Sequence, residues 1–254
     1  MRILGSDFDG TLTHRLGEET FAAIRAWREA GNKFGIVSGR GTGFFLELKE
    51  KYPDLEMDFF VGFNGTAILD GNGTLLYEKR YTEVSSEKLV EDLLDWGCPC
   101  AFYNGDRFFC VVRDREDIPD WIDKTDGRFP DDLPVLPYFV QISTLCPEGE
   151  SKAAEVVEKI REAYGNTLNP LQNGICIDIV PPGINKTTGL LRVAEHFGVT
   201  AEDVIAVGDN INDTDMIRDF YSYAMERGVD SIKKLADATT ETVAELIWKE
   251  LDKQ

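Results

Sequence analysis

Arg2-Ile3-Leu4-Gly5-Ser6-Asp7-Phe8-Asp9-Gly10-Thr11-Leu12-Thr13 is the stretch whose reading decides the fold. It opens as a short apolar run, the pattern of a buried strand. It breaks at Gly10, just after two aspartates spaced i, i+2, which sets Asp7 and Asp9 on one side of an extended chain. Gly10 can bend the backbone away because glycine tolerates conformations that other residues avoid. Two carboxylates this close repel unless a cation lies between them or one holds a proton. Oxygen donors of this kind suit Mg²⁺, which is held by one or two carboxylates with substrate phosphate and water. A simple reversal at Asp9-Gly10 is the alternative, and the remainder of the chain decides between the two.

Working outward, the alternation is that of an α/β protein. Glu18 to Ala30 has Phe21, Ile24 and Trp27 at helical spacing and Gly31 as a stop. Lys33 to Val37 reads as a strand running into the turn Ser38-Gly39-Arg40. Thr42 to Lys51 reads as a helix, and Phe59 to Gly62 as a third strand. Strand and helix in turn imply a parallel sheet with helices on both faces. Ala67 to Tyr77 then reads as a hairpin.

The rhythm changes near residue 82. A helix over Ser85 to Trp96 is followed by a hairpin with Asn104-Gly105 at its turn. An irregular Asp- and Pro-rich stretch covers 114–137. Beyond it come a strand over Tyr138 to Thr144, a helix over Ser151 to Tyr164 and a strand over Gly174 to Val180. From Pro181 the first rhythm returns: a helix from Lys186 to Phe197 capped by Asn185 and Gly198, strands at Val204 to Gly208 and Tyr221 to Met225, and a helix over Glu241 to Leu251. The expected architecture is a Rossmann-like α/β parallel-sheet core, residues 1–81 and 181–254, with an α+β cap domain, residues 82–180, inserted into it.

The bulk properties narrow the function. The chain has 254 residues and a formal net charge of −19. A surface this acidic repels nucleic acid and anionic membranes. No run approaches the ~20 apolar residues of a membrane span, and no signal-peptide pattern opens the chain. A cytoplasmic location is the default expectation. Cys98, Cys100, Cys110, Cys146 and Cys176 lack the spacing of a zinc site or redox pair and read as buried thiols. His14 and His196 read as structural or surface residues, and Phe44 and Phe45 as core.

Asp7 with Asp9, Ser38-Gly39 and Asp209-Asn210-Ile211-Asn212-Asp213 each directly follow an apolar strand. In open α/β sheets, ligands bind outside the carboxyl ends of the strands. Lys186, in the first turn of its helix, can face the same crevice. Carboxylates, a hydroxyl, backbone N–H groups and one cation suit phosphoryl transfer, which requires a nucleophile, in-line positioning and positive charge on the phosphoryl oxygens.

With those residues in place the chain resembles the haloacid dehalogenase-like phosphatases of the Cof-like branch, whose cap is inserted between the second and third motifs. The first motif corresponds to Asp7 to Leu12, the second to Val37-Ser38-Gly39-Arg40, the third to Gly183-Ile184-Asn185-Lys186 and the fourth to Gly208 to Asp213. The resemblance implies a Mg²⁺-dependent phosphomonoesterase acting on a small phosphorylated metabolite through an aspartyl-phosphate. It makes Asp7 the nucleophile and Asp9 the general acid and then base, and pairs Lys186 with nucleophile and phosphate. Ser38, Gly39 and Asn212 would hold phosphate, with Arg40 and Asn64 facing the substrate. Asp7, the Asp9 carbonyl, Asp209 and Asp213 would form or orient the metal site. A sugar phosphomutase and a non-catalytic phosphate-ligand sensor are the alternatives on the same scaffold, and the expected assembly is a monomer or homodimer.

Overall fold

The structure, a computed structural model, describes residues 1–123 and 127–253. Part of the irregular stretch read over 114–137 therefore lies outside the described residues. The chain divides into two compact units, Met1–Glu78 with Ile184–Gln254, and Lys79–Gly183. The joints fall three residues from the expected ones. Tyr81 accounts for the first shift: it exchanges two backbone hydrogen bonds with Phe139 (2.8 and 3.1 Å) and is buried in the second unit's core.

In chain order the first unit begins with β1 (Ile3–Asp7), α1 (Glu18–Glu29), β2 (Lys33–Val37), α2 (Gly43–Lys51), β3 (Phe59–Gly62), β4 (Ala67–Asp70) and β5 (Leu75–Glu78). The second unit holds α3 (Ser86–Asp95), β6 (Cys100–Asn104), β7 (Phe108–Val112), β8 (Gly127–Arg128), β9 (Gln141–Leu145), α4 (Glu150–Tyr164), β10 (Asn169–Asn173) and β11 (Cys176–Val180). The first unit resumes with α5 (Lys186–Phe197), β12 (Val204–Gly208), α6 (Thr214–Asp219), β13 (Tyr221–Met225), α7 (Asp230–Leu235), β14 (Ala238–Thr240) and α8 (Val243–Leu251).

Eight strands of the first unit form one sheet in the order β14-β13-β12-β1-β2-β3-β4-β5. The six from β14 to β3 run parallel, and the β4–β5 hairpin closes one edge antiparallel. Burial on both faces explains why β12, and β1 as far as Gly5, read as apolar runs rather than alternating ones: every residue of both strands is buried. Leu4, Ile24, Trp27, Phe34, Phe45 and Leu246 belong to the core on one face, and Ile3, Val37, Leu190, Val193 and Met216 to that on the other. Phe45 is therefore core, as expected, and Phe44 packs partly buried against it. Because β1 pairs with β12 on one side and β2 on the other, the loops after these three strands leave from neighbouring positions on one sheet edge.

The second unit is a six-stranded sheet, β10-β11-β9-β6-β7-β8, antiparallel apart from the β7–β8 pair. Two local expectations are corrected here. The β6–β7 loop holds three residues, Gly105 to Arg107, and Gly105 is not in the left-handed region. A two-residue Asn-Gly turn requires positive φ at both central positions. The strand read from Tyr138 begins at Gln141, because Phe139 bonds to Tyr81 instead. Four of the cysteines are buried and outside any disulfide, but Cys176, at the start of β11, is exposed.

Candidate active site

The sheet places three loops side by side, and each carries part of the motif set. β1 ends at Asp7, after which Phe8–Leu12 forms a wide turn that departs from helical geometry at Asp9 and at Gly10 (φ +85°). A Cβ on Gly10 would lie 2.3 Å from Asp209 Oδ2, so only glycine lets this turn pass so close to that carboxylate. Thr11 Oγ1 donates to Asp209 Oδ1 at 2.7 Å and ties the same two loops together.

Lys186 is the first residue of α5. Asn185 caps the helix, its side chain accepting from Thr188 N at 2.9 Å, while Asn185 N donates to Thr188 Oγ1 at 3.0 Å. The loop after β3 fits tightly against this cap. Phe63, Asn64 and Gly65 all have positive φ, and a Cβ on Gly65 would lie 2.3 Å from the Asn185 carbonyl. That seating fixes where the helix begins, and so where its first lysine starts.

From there Lys186 Nζ donates to Asp7 Oδ1 at 2.7 Å and to Asp213 Oδ1 at 2.6 Å. The lysine is 2% exposed and Asp213 fully buried. Burial pulls an ammonium's pKa down, but the Asp213 and Asp7 charges outweigh it, so the group stays charged and its pKa lies above its ordinary value. Asp7 goes the other way for an acid. Burial, then the charge of Asp213, push it up to about 8 against the opposing pull of Lys186. Burial also raises Asp209, opposed by the Thr11 bond.

Carboxylate oxygens of Asp7, Asp209 and Asp213 lie within 4.8 Å of one another. Three acids share one lysine, and Asp7 is held far above its usual range. A hard divalent cation answers that imbalance, and the donor set, all oxygen, is the one Mg²⁺ takes. Asp7 and Asp209 fit as its ligands. Asp213 fits less directly, because both its oxygens are engaged: Oδ1 by Lys186 and Oδ2 by the backbone N–H groups of Asp209 (3.0 Å) and Asn210 (3.2 Å).

The expectation that Asp7 and Asp9 share one side of an extended chain is corrected. The strand stops at Asp7, so the two-residue period ends there. The Asp9 carboxylate is half exposed and accepts both arms of Arg40, Nε at 2.7 Å and Nη2 at 2.8 Å. Arg40 lies 4.4 Å from the centre of the Phe44 ring, so its fork is fixed from two directions. Ser38 is buried at the end of β2, donating its N–H to the Val61 carbonyl, while its Oγ accepts from Arg40 N at 3.1 Å. Gly39 lies between them. Asn64 is buried with its N–H on the Ser38 carbonyl at 2.9 Å, and Asn212 is half-buried in the turn before Asp213. Thr11 and Arg227 also belong to the site, and neither was singled out from sequence. Thr11 lies inside the first motif, where a hydroxyl in a tight turn beside acids is the signal for such a bond.

The chain matches the haloacid dehalogenase-like hydrolase family over residues 4–246 and belongs to it. It is a hydrolase of the phosphatase class within that family. Among relatives, it is 26% identical over 223 residues to the HMP-PP phosphatase of Cronobacter sakazakii, covering 85% of this chain and 80% of that one. It is 27% identical over 256 residues to the 5-amino-6-(5-phospho-D-ribitylamino)uracil phosphatase YcsE of Bacillus subtilis, covering 95% and 90%. In fold it is similar to a subclass IIB sugar phosphatase of the haloacid dehalogenase superfamily. The TM-score is 0.80 at 20% identity, over 98% of this chain and 99% of that one. No helix among the described residues is long and apolar enough to cross a membrane.

Proposed function

We propose that the Asp7 carboxylate attacks the phosphorus of a small phosphomonoester and forms an aspartyl-phosphate. The observation that carries this reading is the buried Asp7–Lys186–Asp213 chain beside Asp209, with distances of 2.7 and 2.6 Å. Lys186 is the fixed positive charge beside the attacking carboxylate, and Asp213 holds it there. Asp7 and Asp209, with the Asp9 carbonyl, would hold Mg²⁺, which when bound would supply the charge neutralisation that attack on an anionic phosphate requires.

The ester P–O bond breaks as the Asp7–phosphorus bond forms, and Asp9, having taken up a proton from solvent on releasing an Arg40 bond, gives that proton to the departing alkoxide. Asp9 then takes a proton from the water that attacks phosphorus, and the Asp7 carboxylate is released. For this the Asp9 carboxylate exchanges an Arg40 bond for the leaving-group oxygen. Ser38, Gly39 and Asn212 receive the phosphoryl oxygens, and Arg40 and Asn64 face the rest of the substrate. Residues 79–183 act as a cap that excludes water and selects the leaving group.

By their names the relatives act on HMP-PP and on 5-amino-6-(5-phospho-D-ribitylamino)uracil, and a small phosphorylated substrate fits this reading. A phosphate-release screen across sugar phosphates, nucleotides and cofactor phosphates, with and without Mg²⁺, tests it. Mg²⁺-dependent release from at least one class supports the reading. Formation of an isomer without free phosphate would overturn it in favour of a mutase.

A further inference from the structure

The segment after β13 grips both loops that carry the candidate metal ligands. Arg227 donates Nε and Nη2 to the Gly10 carbonyl, at 3.0 and 2.7 Å, and its Nη1 lies 2.8 Å from His14 Nδ1. Two residues on, Val229 N donates to the Asp209 carbonyl at 2.9 Å. Between them, a Cβ on Gly228 would lie 2.8 Å from that same carbonyl oxygen, so the segment lies directly against Asp209. One tripeptide, Arg227-Gly228-Val229, thus reaches the Asp7–Thr13 loop by a side chain and the Asp209 loop by its backbone.

We propose that Arg227 is a positioning residue that sets the spacing of Asp7 and Asp209 and so the affinity of the site for its divalent cation. This rests on the Mg²⁺ reading above. A guanidinium presents a planar, preorganised fork, and here two of its arms converge on one carbonyl while a third is held by a ring nitrogen. That leaves the Gly10 turn little freedom to move away from Asp209. Partners bonded directly to metal ligands typically change affinity by roughly 10- to 100-fold when removed; Arg227 holds the ligand-bearing loop at Gly10, next to Asp9, which points to the lower end of that range.

Charge and geometry make opposite forecasts, which renders the idea testable. Arg227 is a positive charge near Asp209 and opposes the upward push of burial on that carboxyl. Were it only a charge, its removal would tighten Mg²⁺ binding, and Arg227→Lys would leave binding unchanged. As a positioning residue, Arg227→Ala and Arg227→Lys both weaken binding, because a lysine keeps the charge but loses the fork.

The test is calorimetric Mg²⁺ titration of wild type and both variants, with thermal melts in chelator to establish that each variant is folded. The expected result is a rise in Mg²⁺ Kd of roughly tenfold or more in both variants. In parallel, kcat for an aryl phosphate should recover at saturating Mg²⁺. Unchanged or tighter binding in Arg227→Lys would overturn the inference. Failure of the wild type itself to bind Mg²⁺ would overturn the Mg²⁺ reading and this inference with it. A variant that does not fold is replaced by His14→Ala, which removes only the anchor of the third arm and should raise the Kd in the same direction. No change there also counts against the proposal.

Discussion

Lys186 Nζ lies between Asp7 and Asp213, 2.7 Å from one carboxylate and 2.6 Å from the other, although the lysine is 179 residues from Asp7 in sequence. All three groups are buried, so water competes little for the partners they hold. Breaking a buried pair by removing one member costs about 3–5 kcal/mol, because the remaining charge is left uncompensated. Lys186→Met should therefore lower stability by about that amount in the absence of metal, and turnover should fall to background. Urea denaturation in chelator and an aryl phosphate assay check the two halves. A stability change under about 1 kcal/mol would show that the pair is not the buried unit described.

Asp7 gives a pH dependence to metal binding. Its folded pKa is raised to about 8, mainly by burial and by Asp213, above the ordinary carboxylate value. The metal-free protein thus binds one more proton than the unfolded chain between those two values, and it loses stability as pH rises through them. A cation that needs the ionised carboxylate competes with that proton. The Mg²⁺-induced rise in Tm should grow between about pH 6 and 8 and level off above, as read by melts at fixed Mg²⁺. A shift independent of pH in that range would place the proton elsewhere.

Asp58 carries the opposite sign, far from the catalytic loops. Burial pushes its carboxyl up, but bonds from Arg28, the Phe34 N–H and Lys33 outweigh it and hold the pKa below the usual range. A depressed acid contributes stability above its unfolded pKa and loses it as pH falls through the folded value. Asp58→Asn should be less stable than wild type near neutral pH, with the gap closing below about pH 4. Denaturant melts across that range test it.

Gly10 should tolerate no side chain. Alanine would place its Cβ 2.3 Å from Asp209 Oδ2 at a φ of +85°. Gly10→Ala is expected to weaken Mg²⁺ binding more than it lowers Tm, since the loop can swing outward at a cost to Asp209. Calorimetry beside thermal melts separates the two effects.

The sequence was most legible where local chemistry and tertiary packing agree. The helix Lys186–Phe197 was read to the residue, since Asn185 caps it with a reciprocal bond pair and Gly198 ends it in the left-handed region. β10 was missed because Asn169-Pro-Leu-Gln-Asn173 is an edge strand with polar residues and a proline and has no apolar alternation. β14 and the helices α6 and α7, only three and six residues long, are too short for a period to show. At the site, motif spacing brought out Asp7, Lys186 and Asp209, each placed by the end of a strand or the start of a helix. The bonds that organise them were invisible: nothing local to Arg227 marks it as a partner of Gly10, 217 residues away. Nor does the sequence show that Asp9 turns to Arg40, which follows from the strand ending at Asp7.

The central claim is that Asp7 itself attacks phosphorus, and the most direct test compares wild type with Asp7→Asn in Mg²⁺-dependent phosphate release from an aryl phosphate. The account predicts no turnover above background by the variant, with a far-ultraviolet spectrum and Tm showing that the fold persists. Near-normal release by folded Asp7→Asn would contradict it.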